Sequence, residues 1–258
     1  NNILKAKKSF GQHFLKNALI AEKIAMAMDW EVDHILEVGP GTGNLTIHLI
    51  KLHKNLKLVE ADPDMVAILK KTPTISSLDI IEKDFLKLSL DQCFDDSPFG
   101  LVGNFPYNIS SQIIFKMLEY AAYIPIMVGM FQKEVAERIA AEPGSKSYGV
   151  ISVLTQAKYD AEYLFTVDKS EFNPPPKVQS GVIRLIRKEA IGIDYNEKLF
   201  KQIVKTTFGQ RRKMIRNTLK SIIPENFSLE DSYFNNRPEQ LSLTDFITLT
   251  QKIENHDA

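Results

Sequence analysis

Ile35-Leu36-Glu37-Val38-Gly39-Pro40-Gly41-Thr42-Gly43-Asn44 is the stretch on which the fold turns. Ile35 to Val38 reads as a short buried strand, and a helix with Leu45, Leu49 and Leu52 facing inward follows the glycines. This is the pattern of the first βα turn of a dinucleotide- or nucleoside-binding sheet. Gly39 and Gly41 let the backbone approach a ligand closely. The dinucleotide fingerprint wants a third glycine or alanine where Asn44 stands, which weakens an NAD reading. The spacing fits enzymes that use S-adenosylmethionine (SAM), which has no pyrophosphate to cradle. By itself the loop points to a cofactor more firmly than to which cofactor.

Working outward, Leu56 to Val59 is a second strand that ends in Glu60, where a carboxylate can accept from both ribose hydroxyls. Asp62-Pro63 opens the next helix as N-cap and first helical residue. A third strand, Leu78 to Glu82, leads to Asp84-Phe85. Asp84 can accept from the adenine amino group of a cofactor, with Phe85 or Leu86 beside the ring; a plain loop acid is the other reading. On the N-terminal side, Asn17 reads as the N-cap of a helix with Ile20, Ile24 and Met28 along one face. Lys5, Lys7 and Lys8 precede Phe10-Gly11-Gln12-His13-Phe14-Leu15, either as phosphate contacts or as a solvated tail.

The apolar run Phe99 to Val102 passes through Gly103 into Asn104-Phe105-Pro106-Tyr107. This tetrapeptide suits methylation of the exocyclic amine of adenine. That amine is a poor nucleophile because its lone pair is conjugated into the ring, and accepting both N6 hydrogens releases it. The Asn104 side-chain oxygen can take one hydrogen and the Phe105 carbonyl the other, since Pro106 keeps Phe105 extended. Tyr107 can stack on the base. A strand-to-helix turn with a packed Tyr is the alternative.

Beyond the motif, helices are expected over Ser110 to Tyr120, Lys133 to Ala141 and Gly149 to Tyr159, and strands over Ile124 to Phe131, Ala161 to Val167 and Gln179 to Ile186. Alternating β and α elements imply a mostly parallel sheet with helices on both faces. Phe172-Asn173-Pro174-Pro175-Pro176 is a stiff loop, either inert or holding Phe172 as a second stacking wall for the target base. After Arg187 the pattern is helical only, with Glu189 to Asp194 as a linker. Basic residues stand at 198, 201, 205, 211, 212, 213, 216 and 220 with no Asp or Glu between 198 and 220, a patch suited to phosphates.

Lys plus Arg and Asp plus Glu both total 32 in the 258 residues, so net charge alone does not suggest a nucleic-acid binder; the distribution does. A single cysteine, Cys93, excludes an internal disulfide and suits a reducing cytosol. The longest apolar run, Tyr120 to Phe131, is too short to cross a bilayer, and no metal is expected.

Taken together, these motifs resemble the small-subunit ribosomal RNA adenine N6,N6-dimethyltransferases, from about Phe10 to about Leu219. The family's Phe-Gly-Gln-Asn-Phe-Leu stands here as Phe10 to Leu15 with His13 for Asn, and its Asn-Leu-Pro-Tyr has Phe105 for Leu. The resemblance implies a Rossmann-like α/β methyltransferase sheet over residues 1–187, with a basic N-terminal arm, and a small all-helical RNA- or ribosome-binding domain over 188–258. It implies cofactor contacts at His13, Leu15, Gly39, Gly41, Glu60, Asp84 and Asn104, and base handling by Asn104, Phe105, Pro106 and Tyr107 with Phe172. Arg211, Arg212, Lys213 and Arg216 are the expected RNA contacts. The implied substrate is two adjacent adenines near the 3′ end of small-subunit RNA in an immature subunit, dimethylated by a cytoplasmic monomer. The rivals are the large-subunit methylase of macrolide resistance and an assembly factor that chiefly binds.

Overall fold

The computed structural model describes residues 5–189 and 194–257, so most of the expected linker lies outside the described residues. Nine strands occur in the order β1 (Phe14–Leu15), β2 (His34–Val38), β3 (Asn55–Glu60), β4 (Asp79–Glu82), β5 (Gly100–Asn104), β6 (Ile126–Gln132), β7 (Tyr159–Val167), β8 (Phe172–Asn173) and β9 (Ser180–Arg187). The helices are α1 (Ala18–Ala27), α2 (Thr46–Leu49), α3 (Pro63–Lys71), α4 (Ser110–Glu119), α5 (Lys133–Ile139), α6 (Val150–Gln156), α7 (Glu197–Gly209), α8 (Ile215–Thr218) and α9 (Leu243–Glu254).

Seven strands form one sheet in the order β4-β3-β2-β5-β6-β9-β7. β4, β3, β2, β5 and β6 are parallel, and β9 runs antiparallel to β6. The parallel strands carry continuous apolar runs because both their faces are covered: Ile35, Leu36, Leu101, Val102, Met127 and Val128 are fully buried. Chain order reverses between β2 and β5, the crevice where ligands bind in open sheets of this kind. The Asn17 side chain caps α1 from the amides of Leu19 (2.9 Å) and Ile20 (3.3 Å). Asp62 caps α3 from the Asp64 amide at 3.0 Å, with Pro63 as the first helical residue.

The chain divides into two compact units, residues 1–137 with 160–187, and 138–159 with 188–258. Residues 138–159 therefore group with the helical unit, although the sequence reading set the boundary at 187. Local pattern could not show this, because the ties are distant in sequence. The Tyr148 hydroxyl donates to the Leu241 carbonyl at 2.8 Å, and Lys188 Nζ donates to the Gln156 carbonyl at 2.6 Å. The expected helix over 149–159 ends at Gln156, and Tyr159 already begins β7.

Phe105, which departs from the resembled motif, turns its ring into the core against Phe131 (centroids 5.0 Å apart). Two glycines make room for it. A Cβ on Gly103 would lie 3.0 Å from the Phe105 ring and 2.6 Å from the Val38 carbonyl oxygen; one on Gly129 would lie 2.3 Å from the ring. Gly103→Ala is expected to destabilise the protein by about 1–3 kcal/mol, since β2 backbone cannot yield as a side chain can. A lower midpoint in urea unfolding checks this; an unchanged midpoint would show that β2 and β5 move apart freely.

Candidate active site

A cavity of about 420 Å³ opens at the C-terminal ends of β2 to β5, within the size range of small-ligand sites. Each strand delivers one expected residue to it. Gly39 follows β2, Glu60 ends β3, Asp84 follows β4 and Asn104 ends β5. Local geometry explains the delivery. Gly39 and Gly41 take φ of 64° and 58°, and the Gly39 amide donates to the Val59 carbonyl at 2.9 Å, which folds the turn back over β3.

Glu60 is 7% exposed. Its Oε1 accepts from the Gly41 amide and its Oε2 from the Asp62 amide, both at 3.0 Å. Burial pushes its carboxyl above the ordinary value, and the amides of Asp62 and Gly41 pull against that. Each oxygen keeps capacity for a further donor, as a ribose with two hydroxyls requires. A Cβ on Gly39 would meet nothing within 4 Å, so the turn stands open to the cavity and can admit a nucleoside. Asp84 lines the cavity while one of its oxygens caps the Leu86 amide at 3.0 Å.

On the other side of the cavity, Asn104 Nδ2 donates to the His13 carbonyl at 2.9 Å. That bond decides which way the amide faces. Its oxygen meets no donor among the described residues. Ser110 Oγ donates to the carbonyls of Pro106 (3.2 Å) and Tyr107 (3.1 Å). The Phe105 carbonyl meets no donor among the described residues. The ring of Phe105 is buried, so main chain is what this residue offers the cavity. The Tyr107 hydroxyl is hydrogen-bonded to Ser180 Oγ, and its ring stacks on His13 with centroids 5.5 Å apart. His13 Nδ1 is in turn hydrogen-bonded to the Pro174 carbonyl at 2.9 Å.

One expectation is corrected and a second is qualified. Phe172 does not line the cavity: it is 1% exposed and packs in the core cluster with Leu15. The cause is the antiparallel pairing of β8 with β1, where Phe172 lies opposite Leu15. Arg211, expected among the phosphate contacts, is partly committed within the helical unit. Its Nε donates to Glu239 at 3.0 Å, its Nη2 to the Ser145 carbonyl at 3.2 Å, and its guanidinium lies 5.7 Å from the Phe208 ring centre. It ties the helical unit together. Arg212 and Lys213 are exposed, and Arg216 is half-buried with a long 3.5 Å bond to the Asp231 carbonyl.

Other participants escaped the sequence reading. Glu37 is 1% exposed, lines the cavity and accepts from the Thr46 hydroxyl. Burial pushes its carboxyl up to about 8, against the pull of the Thr46 hydroxyl. A lone carboxylate inside the apolar run Ile35 to Val38 was the available signal. Asp62 and Gln12, bonded to each other at 2.7 Å beside the cavity, carried no comparable signal.

A glycine turn after β2, one strand away from β5 with Asn104 at its end, is the layout of the SAM-dependent methyltransferase fold. The chain belongs to the ribosomal RNA adenine dimethylase family, whose model matches residues 3–252. It is 56% identical over 254 residues to the ribosomal RNA small subunit methyltransferase A of Phocaeicola vulgatus, covering 98% of this chain and 91% of that one. With the protein of the same name from Flavobacterium johnsoniae it shares 50% over 252 residues, covering 97% of each. Among solved structures it resembles a dimethyladenosine transferase from Plasmodium falciparum, with TM-score 0.79 and 28% identity over 95% of this chain and 98% of that one. The 23S rRNA methyltransferase ErmE shares the fold, with TM-score 0.70 and 24% identity over 92% and 99% of the two chains. The protein is thus a SAM-dependent enzyme that dimethylates adenine in ribosomal RNA. Among the described residues no helix is long and apolar enough to cross a membrane.

Proposed function

We propose that this enzyme dimethylates N6 of two adjacent adenines near the 3′ end of small-subunit ribosomal RNA, working as a cytoplasmic monomer on immature subunits during ribosome biogenesis. The names of its relatives support the choice of subunit. The observation that carries the chemistry is the Asn104 amide in the cavity wall, its Nδ2 committed to the His13 carbonyl so that its oxygen is the end left to accept.

SAM, when bound, supplies the methyl group as an electrophile. Glu60 accepts from the ribose hydroxyls and Asp84 from the cofactor's adenine amine, with His13, Leu15, Gly39, Gly41 and Asn104 completing the cofactor wall. The Asn104 oxygen and the Phe105 carbonyl accept the two hydrogens of the target amine. Pro106 holds Phe105 extended, and the Tyr107 ring, steadied by Ser180, takes the face of the base. Radiolabelled SAM offered with immature small subunits, large subunits or free RNA tests the substrate. Label in the small subunits is expected. Label confined to large subunits would favour the macrolide-resistance type instead.

For RNA binding we assign phosphate contacts to Arg212 and Lys213, with Arg216 at the margin. Reversing Arg212 and Lys213 to Glu is expected to flatten the salt dependence of particle binding by about one unit of log–log slope per lost contact. SAM affinity should stay at the wild-type value. A salt slope that does not move would make the patch a solvated face.

A further inference from the structure

We propose that Gln12 is a positioning residue for Asn104: anchored on buried Asp62, it holds the arm whose His13 carbonyl sets the orientation of the Asn104 amide. The inference rests on the reading of Asn104 as the acceptor of the target amine's hydrogens.

The links are continuous. The Asp62 side chain is 0% exposed. Its Oδ2 accepts from Gln12 Nε2 at 2.7 Å, and its Oδ1 from Lys7 Nζ at 2.8 Å and from the Asp64 amide at 3.0 Å. Gln12 Oε1 accepts from the Lys7 amide at 2.8 Å. Both ends of the Gln12 amide are therefore used, one to close the arm on itself and one to dock it. The next carbonyl along the chain, that of His13, is the one that receives Asn104 Nδ2 at 2.9 Å. The arm also rests on the loop after the motif, since a Cβ on Gly11 would lie 2.8 Å from Asn108 Oδ1.

The orientation matters because the two ends of a carboxamide have opposite roles. With Nδ2 held by a carbonyl, Oδ1 is the end left to accept; flipped, the group would offer N–H donors to an amine that itself needs acceptors. Nothing within Asn104's own strand chooses between these two states. The choice is made 91 residues away, and it is only as firm as the arm. Asp62 also gives its own amide to Glu60 Oε2, so one residue braces both the ribose-binding carboxylate and the arm.

The test is a double-mutant cycle on single-turnover methylation of the RNA substrate. Gln12→Ala should lower the rate about 10–100-fold, the range for a loosened supporting contact. Its thermal midpoint should fall by what one lost bond to buried Asp62 costs, and its SAM Kd should rise by much less than the rate falls, since Glu60 keeps the amides of Gly41 and Asp62. In an Asn104→Ala background the same substitution should cost nothing further, because the amide it positions is gone. Gln12→Glu, which keeps length but loses the donor and faces Asp62 with a second carboxylate, should repeat the loss. A wild-type rate in Gln12→Ala, or a loss that multiplies undiminished onto Asn104→Ala, overturns the positioning role alone. A wild-type rate in Asn104→Ala overturns the reading of Asn104 itself.

Discussion

Asn104→Ala is expected to lower the single-turnover rate of adenine methylation about 10²–10³-fold, or about 3–4 kcal/mol, as loss of a comparable oriented partner does. The target amine must leave conjugation with its ring as it takes the methyl group. Its hydrogens become more acidic as positive charge builds on nitrogen. An acceptor already fixed in place therefore bonds more strongly in the transition state than before it, and such differential binding accelerates a reaction. The structure supplies that fixity, with Asn104 Nδ2 committed to the His13 carbonyl and Oδ1 meeting no donor among the described residues. Asn104→Ala removes no core packing, since its side chain is only partly buried at the end of β5. The variant should fold and bind the ribosomal particle. Rate and particle affinity measured on one preparation check this, and a near wild-type rate would reduce the motif to a packed turn.

The second large effect belongs to Glu60. Glu60→Ala is expected to weaken SAM binding by about 1–3 kcal/mol, or about 5–150-fold in Kd, because two ribose hydroxyls lose their acceptor. Part of that loss is indirect. The amides of Gly41 and Asp62 lose the carboxylate that holds them at 3.0 Å, so the glycine turn loosens as well. Calorimetry with SAM measures the effect, with NAD as the control that should give no heat in either protein. Unchanged SAM affinity would remove Glu60 from the cofactor site, and heat from NAD would overturn the choice of cofactor.

Much of this was legible in the chain alone. The glycine turn after Ile35 to Val38, the acids closing the next two βα units, and Asn104 to Tyr107 after an apolar run all fall where sequence reading put them, around one cavity. The caps at Asn17 and Asp62 were legible too. Periodicity, turn chemistry and capping depend on neighbours within about four residues, so they survive in a one-dimensional text.

Tertiary structure decided the rest. Asp62 reads locally as a cap and is one, but folding also brings Gln12 and Lys7 to it from more than 49 residues away. Phe172 reads as a candidate stacking ring, and pairing of β8 with β1 turns it into the core. Arg211 reads as part of a cationic patch, and folding pairs it with Glu239 from 28 residues away. The facing of the Asn104 amide was never in its own segment, because a carboxamide is nearly the same shape either way round. Only a partner from elsewhere in the chain, here the His13 carbonyl, makes the two orientations differ in energy.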